Sequence, residues 1–362
     1  MKKIINYGNH YISHDDILSV TNALKEKKIT QGHIVERFEN KLNLFFNSKY
    51  TLAVSSGTAA LHLSMLSLNL SKKDKVITSP ISFLASANCV EYVGAKVDFC
   101  DIDKNNYTMN PNLLEDKLKK DKNIKAAIVV DYAGHPAAWE DFLYLKKKYK
   151  IILVNDNCHA FGSKFNNDED YAIKYADIVT QSFHPVKQIT TGEGGAIITN
   201  NKNLYSKAKL LRSHGMIRND NKNTEPWIYS MNELGYNYRL PDINCALGIS
   251  QLKKIKIFIK KRRQIAEIYT KNLSLDCIKL PKNDKNIFHS HHLYPIQINF
   301  KNLKIDKKTF FKKMMKQNIN LQVHYIPIHL QNYYRKKYGF KKGDFKIAEN
   351  FYKNEVSLPI YY

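Results

Sequence analysis

The sequence predicts an α/β protein: a doubly wound, mainly parallel sheet followed by a smaller C-terminal α+β domain. Three observations carry this. Through about residue 200, short β-branched runs alternate with stretches of helical periodicity, the pattern of βαβ units. The one dense glycine cluster, TTGEGGA (190–196), sits between two further strand-like runs, ADIVTQSF and GGAIITN. From about residue 246 the pattern changes to a long basic helix, a strand, a helix, and a strand with a loop. A length of 362 residues suits two or three domains. No Gly/Ser-rich linker or internal repeat marks a boundary, so the division into 1–245 and 246–362 rests on pattern alone.

In chain order, TLAVSS (51–56) reads as a strand, followed by a helix on Ala59, Ala60, Leu61, Met65 and Leu66. VITSP (76–80) precedes the helix LASANCVEYVG. AKVDFCDID, KAAIVVDY and KIILVND continue the strands, with PNLLEDKLKK and WEDFLYLKKKY as the helices between them. In the C-terminal part, HHLYPIQINF is a predicted strand, TFFKKMMKQN a helix and NLQVHYIPIHL a strand and loop. AENFYKNEVSLPIYY ends without a closing helix. In such a sheet, ligands gather at the carboxyl ends of the strands.

Composition excludes several classes. With 43% hydrophobic and 12% aromatic residues the chain has ample material for a core, which argues against disorder. No apolar run approaches the roughly 20 residues needed to cross a bilayer, and the start MKKIINYGNHYIS has lysines without an apolar stretch behind them. Cys89, Cys100, Cys158, Cys245 and Cys277 are scattered, without a CxxC pair, and read as reduced thiols of a cytoplasmic protein. The balance of 57 basic against 33 acidic residues gives +24, but only seven of the 57 are arginine. Nucleic-acid surfaces lean on arginine, and abundant Lys, Asn, Ile and Tyr match the bias of an AT-rich genome. The densest run, KKIKIFIKKRR (253–263), reads as a helix with Ile255, Ile257, Ile259, Ile265 and Ile268 towards a core and a wet basic face outward. Neither nucleic acid nor membrane is expected as a partner, while a nucleotide diphosphate remains compatible with the charge.

Four junctions hold candidate chemistry. Ser55-Ser56-Gly57-Thr58 ends a strand and opens a helix. Free amides and the positive end of the helix dipole make a phosphate seat there; Gly57 permits close backbone approach and Thr58 adds a hydroxyl. An ordinary N-cap calls for the same residues. Asn155-Asp156-Asn157-Cys158-His159 follows the apolar run IILV. An Asp buried at a strand end is costly without a cation or donor, which suits a carboxylate paired with a protonated pyridine nitrogen, with His159 in reach of the same ligand. Capping of the next turn is the plainer alternative, and the spacing of Asp, Cys and His fits no zinc site, so no metal is expected. Ser182-Phe183-His184-Pro185-Val186-Lys187 leads into the Gly-rich segment. One lysine among 50 means little, but a lysine after a strand and beside a Pro-stiffened turn can be desolvated enough to serve as a Schiff-base nucleophile. Pro80-Ile81-Ser82-Phe83 offers an aromatic face, although a lone Phe suits a core as well.

These are the parts of a pyridoxal phosphate site: phosphate seat, ring stack, pyridinium carboxylate and Schiff-base lysine. The chain resembles the fold type I aminotransferases that act on nucleotide sugars, the DegT/StrS family, over essentially its whole length. The resemblance lies in ITQG (29–32) before a helix ending in Phe38-Glu39, SSGTAALHL, SPISFLASANCV, GAKVDFCDID, DYAGHPA, NDNCHAFGS, SFHPVKQITTGEGGA, RSHG, LGYNYRLPDINCALGISQL and VHYIPIHLQ.

The resemblance implies pyridoxal 5'-phosphate as cofactor, Lys187 as the Schiff-base lysine and proton shuttle, and Asp156 at the pyridine nitrogen. It also implies His159 beside the ring's phenolic oxygen, Phe83 stacked on the ring, and Gly57, Thr58 and Ser182 at the phosphate. Asn237 is expected to reach that phosphate from the neighbouring subunit of a homodimer with shared active sites, and Arg239, His324 and Tyr325 to lie near the substrate. SFHPVK, HHLYPI and VHYIPIHLQ look most like the branch that takes an amino group from L-glutamate to a UDP-linked 4-keto-6-deoxy-N-acetylhexosamine. The alternatives are a different keto nucleotide sugar, or a basic binding protein or cofactor sensor that keeps only the fold. The dehydratase branch, with His in place of the lysine, is disfavoured by Lys187. The chain departs from the usual pattern at Asn155 and Asn157, where the motif commonly reads Glu-Asp-Ala, at Gln188, where relatives often have Pro, and at Tyr362, beyond which relatives usually carry a tail.

Overall fold

The computed structural model describes residues 4–217, 225, 227–282 and 284–362. Its centre is a seven-stranded sheet. From one edge to the other the strands are Tyr50–Val54, Gly195–Thr199, Ile178–Ser182, Ile152–Asp156, Ile124–Val130, Lys75–Thr78 and Lys96–Phe99. Only Gly195–Thr199 runs against its neighbours. Six carboxyl ends therefore emerge on one edge of the sheet, which is the expected doubly wound, mainly parallel arrangement.

The strands read as continuous apolar runs because both faces are covered. Successive residues alternate between two cores. Ala53, Ala127, Leu153, Val179 and Ile198 enter one, with Phe38, Trp139 and Phe142. Leu52, Val54, Ala126, Ile128, Val154, Ile178 and Ile197 enter the other, with Leu61, Leu63 and Phe99. The reversed strand begins at a glycine for a steric reason: a Cβ on Gly195 would stand 2.4 Å from Ser56 O and 2.7 Å from Gln181 O.

A second, three-stranded antiparallel sheet is built from Ile278–Lys279, Tyr294–Ile298 and Glu355–Leu358. Its core joins Tyr294, Ile296, Ile298, Val356 and Leu358 to Ala266 of the helix Ile255–Asn272. The N-terminal segment reaches this region, since Ile5 N donates to Asn318 O and Asn320 N to Ile5 O, both at 2.8 Å. The position chosen for a domain division, 245, falls inside the helix Asp242–Leu252, which packs on the helices His14–Leu24 and His33–Phe46.

Three sequence expectations are corrected. The helix carrying Phe38 and Glu39 continues to Phe46, because Leu42 and Phe46 extend its buried stripe. No strand forms in 319–327; Ile319 and Gln322 make only isolated bridges, to Ile5 and Ser357. As expected, the last segment ends without a closing helix: the helix Lys346–Asn354 precedes the strand Glu355–Leu358. In the basic helix, the isoleucines at 255, 257 and 259 follow a period of two, whereas the backbone turns with 3.6 residues. The buried face is Ile255, Phe258, Ile259, Arg262 and Ala266, and Ile257 and Ile268 are exposed. Arg262, read as part of the wet face, is buried.

Candidate active site

Beyond the carboxyl edge of the large sheet lies a cavity of about 660 Å³. Gly57, Thr58, Phe83, Asp156, His159, Ser182, Lys187, His324 and Tyr325 all line it. Asn237 and Arg239 do not. Asn237 is exposed and bridges to Ser213. Arg239 bridges to Val54 and lines a separate cavity beside the Arg212–Glu39 ion pair.

The helix Gly57–Ser67 starts at the end of the first strand, capped by Ser56 Oγ, which accepts from Ala59 N at 3.0 Å. The first amides of a helix lack intrahelical acceptors, and here they open towards Ser182. A Cβ on Gly57 would meet the Ser182 Cβ at 2.8 Å, so only glycine permits this approach. Ser182 Oγ accepts from His184 N at 3.4 Å, leaving its own proton to donate. Phe83 is 57% exposed, outside either core, with its ring centroid 6.2 Å from that of Tyr325.

Asp156 ends its strand 5% exposed. Its Oδ2 accepts from Ser86 Oγ at 2.6 Å and its Oδ1 from Cys158 N at 3.4 Å. Among the described residues no cationic side chain pairs with it, so a buried carboxylate faces the cavity with neutral donors alone. Its neighbours explain its direction. Asn155 and Asn157 both point to the opposite side, where their amides donate to Asp131 Oδ2 at 3.1 and 2.9 Å. Asp131 also accepts from Tyr171 OH, Trp139 Nε1 and Ala137 N. Burial pushes its carboxyl up to about 6, against the pull of these donors. Strand alternation then leaves Asp156 aimed at the cavity.

His159 Nδ1 accepts from Ala133 N at 3.3 Å, which places its proton on Nε2, 3.1 Å from Tyr325 OH. Burial first, then the charge of Lys187, holds this imidazole well below its ordinary range, so it is neutral at pH 7. Lys187 sits in a loop pinned between the two antiparallel strands: Phe183 N donates to Gly194 O and Thr191 N to Phe183 O. Its Nζ lies 3.5 Å from His292 Nε2, and burial lowers its pKa from the ordinary lysine value. Gln188 is buried, and its amide donates to His159 O and Ser290 Oγ. The departure from Pro at this position therefore ties the lysine turn to the Asp156 loop.

Several cavity residues escaped the sequence reading. Tyr7, His184, Gln322 and His292 also line the cavity. HHLYPI marked the region of His292 only as a motif, and Ser86 and Asp131 were quoted inside SPISFLASANCV and DYAGHPA without a role. No group of three or more His, Cys, Asp or Glu side chains able to hold a metal occurs among the described residues.

Residues 10–362 match the DegT/DnrJ/EryC1/StrS aminotransferase family. A Campylobacter jejuni protein, UDP-4-amino-4,6-dideoxy-N-acetyl-beta-L-altrosamine transaminase, is 40% identical over 361 residues, 98% of this chain and 92% of that protein. Among solved structures, Helicobacter pylori PseC, an aminotransferase involved in the biosynthesis of pseudoaminic acid, superposes with a TM-score of 0.92 at 33% identity, covering 99% of this chain and 94% of that one. The PLP form of Spr1654 from Streptococcus pneumoniae, a sugar aminotransferase by its description, gives 0.90 at 25% identity, with the same coverage. The protein is thus an aminotransferase by class, of fold type I. The chain belongs to the DegT/DnrJ/EryC1/StrS aminotransferase family, and its cofactor is pyridoxal 5'-phosphate.

The cavity's chemistry fits this cofactor. A buried carboxylate without a counter-cation suits a protonated pyridine nitrogen. Open helix amides with the Ser182 hydroxyl suit a phosphate, and a lysine with a depressed pKa suits an aldehyde.

Proposed function

We propose that the chain is a sugar aminotransferase that moves the amino group of L-glutamate to the 4-keto position of a UDP-linked 4-keto-6-deoxy-N-acetylhexosamine. The product is UDP-4-amino-4,6-dideoxy-N-acetyl-L-altrosamine, a precursor in pseudaminic acid biosynthesis. The observation that carries this reading is the 40% identity, over 98% of the chain, to a transaminase named for that product.

In this reading Gly57, Thr58 and Ser182 hold the cofactor phosphate, Asp156 pairs with the pyridine nitrogen, His159 lies beside the phenolic oxygen and Phe83 covers the ring. The cofactor supplies an electron sink for a carbanion at the carbon bearing nitrogen. Lys187 Nζ does the proton work, taking a proton from the substrate carbon and delivering one on the far side of the nitrogen. Desolvation favours the neutral amine that this task needs. His324 and Tyr325 close the cavity on the substrate side. Asn237, exposed and away from its own chain's cavity, reaches the phosphate of a second copy, so the working unit is a homodimer; Arg239 approaches substrate in the same way. The larger unit, 1–245, carries the cofactor and the smaller, 246–362, closes over it. The protein works in the cytoplasm on small molecules. No helix of the described residues is long and apolar enough to cross a membrane, and the basic surface is a solvated face without affinity for nucleic acid.

Incubation of purified protein with L-glutamate and the UDP-linked 4-keto sugar should yield 2-oxoglutarate and a UDP-linked aminosugar, identified by mass. Conversion of glutamate in single turnover without any consumption of that sugar would overturn the substrate assignment while keeping the aminotransferase.

A further inference from the structure

Arg262 is 2% exposed, in the middle of the helix Ile255–Asn272. Its neighbours on the buried face, Ile255, Phe258, Ile259 and Ala266, are apolar. Among the described residues no carboxylate pairs with it. Its guanidinium is satisfied by backbone carbonyls: NH1 donates to Ile360 O at 2.7 Å, His292 O at 3.2 Å and His291 O at 3.3 Å, and NH2 to Val186 O at 3.4 Å. An unpaired buried cation is costly, and an apolar side chain would fill this position at lower cost. What the arginine adds is a link between three separate segments, two of which meet at one point. Val186 directly precedes Lys187, and His292 carries the imidazole 3.5 Å from the Lys187 amine.

We propose that Arg262 is a positioning residue for Lys187. Its guanidinium clasps the lysine turn, the His291–His292 segment and the end of the chain at Ile360, and so fixes the Lys187–His292 pair. Gln188 holds the turn from its other side through His159 O and Ser290 Oγ, so the lysine stands between two clasps. The fork geometry matters, because one planar group reaches carbonyls in different directions, which an ammonium on a flexible stem does poorly. The charge matters as well: a cation without a counter-ion near Lys187 disfavours a second cation there. Burial is the main cause that lowers the lysine, and Arg262 adds to it against the charge of Asp156.

This inference rests on Lys187 being the lysine that binds the cofactor, and the experiment separates the two. Borohydride reduction of the full-length holoenzyme, followed by peptide mass analysis, should place the cofactor on residue 187. Its appearance on another lysine would refute the Lys187 reading itself. R262M and R262K holoenzymes are then compared with wild type by the pH midpoint of the visible cofactor absorbance, by kcat and KM for the keto sugar, and by Tm. For R262M the midpoint should rise by about one pH unit, a roughly tenfold change in the protonation constant. Its kcat should fall about tenfold, with KM changed less than about twofold. R262K should restore most of the midpoint, by keeping charge, but recover kcat only in part. A purely packing role predicts a lowered Tm with an unmoved midpoint and unchanged kcat, and that result in R262M would overturn the proposal. If R262M does not fold, R262K decides: a wild-type kcat in R262K would equally overturn it.

Discussion

The Ser86 hydroxyl donates to Asp156 Oδ2 over 2.6 Å, and Ser82 Oγ stands 2.7 Å from Ser86 Oγ. Because Ser86 spends its proton on the carboxylate, Ser82 must supply the donor for the second bond, and the pair forms a directed chain ending at Asp156. A hydrogen bond to a charged group is worth about 1.5–3 kcal/mol. Ser86→Ala should therefore weaken pyridoxal phosphate binding about tenfold or more, measured by equilibrium titration of the apoenzyme. Asp156→Ala should lose far more, since it removes the charge itself. Wild-type affinity in S86A would show that the backbone amide of Cys158 is enough to hold the carboxylate.

Asp131 accepts from five donors, and two of them are the amides of Asn155 and Asn157 on either side of Asp156. Asp131→Ala leaves these neutral donors buried and unpartnered, at a cost of about 1–3 kcal/mol for each one that finds no new acceptor. Chemical denaturation should show that loss. Asp131→Asn keeps shape and part of the acceptor capacity, so it should fold and instead show weakened cofactor retention, because the strand end that aims Asp156 is loosened. Equal cofactor affinity in D131N and wild type would confine Asp131 to stability.

The division between legible and hidden residues follows from range. Gly57, Asp156, His159 and Lys187 were readable because each follows an apolar strand in a short motif, and βαβ topology brings strand ends to one edge. Asp131 was not, because its partners lie at 155, 157, 139 and 171, and nothing local to DYAGHPA marks it. Arg262 was hidden inside a lysine-rich run whose alternating isoleucines suggest the wrong face. Phe83 showed the limit of residue type: a lone Phe suits a core, yet this one is 57% exposed to the cavity. Asn237 and Arg239, carried over from family resemblance, lie outside the cavity of their own chain.

Lys187 gives the sharpest mechanistic contrast. Lys187→Arg keeps approximate length, but a guanidinium stays protonated throughout the working pH range and cannot serve as base. Turnover should fall by about 10³-fold, and Tm should drop, because a permanently charged, unpaired cation then stands buried beside Arg262. Steady-state assay with L-glutamate and the keto sugar checks the first point, and thermal melting the second. Activity within tenfold of wild type would remove Lys187 from the proton-transfer role.

Eight buried histidines among the described residues make the fold sensitive to acid. His62, His135, His159, His289, His291, His292, His324 and His329 are each at most 6% exposed. Burial pushes all of them down from 6.5, His291 and His324 to about 3. The rings of His289 and His291 stack at 3.9 Å, with His135 edge-on at 5.6 Å from His289, so protonation would crowd cations. Arg262, Arg263 and Lys282 add positive charge around this group, and among the described residues Asp284, 3.4 Å from His135 Nε2, opposes it. The sign follows from linkage: the unfolded chain takes up protons below about pH 6.5 while the folded rings do not. The stability contributed by the neutral rings is full above that pH and is lost as pH falls towards 3. Each such ring contributes a slope of about 1.4 kcal/mol per pH unit in that window. His291→Asn removes one ring from the stack, so its unfolding free energy should decline less steeply than that of wild type between pH 6.5 and 4.5, with the two converging towards the acid end. Parallel declines in urea unfolding across that range would show that His291 is protonated in the folded protein as readily as in the unfolded one.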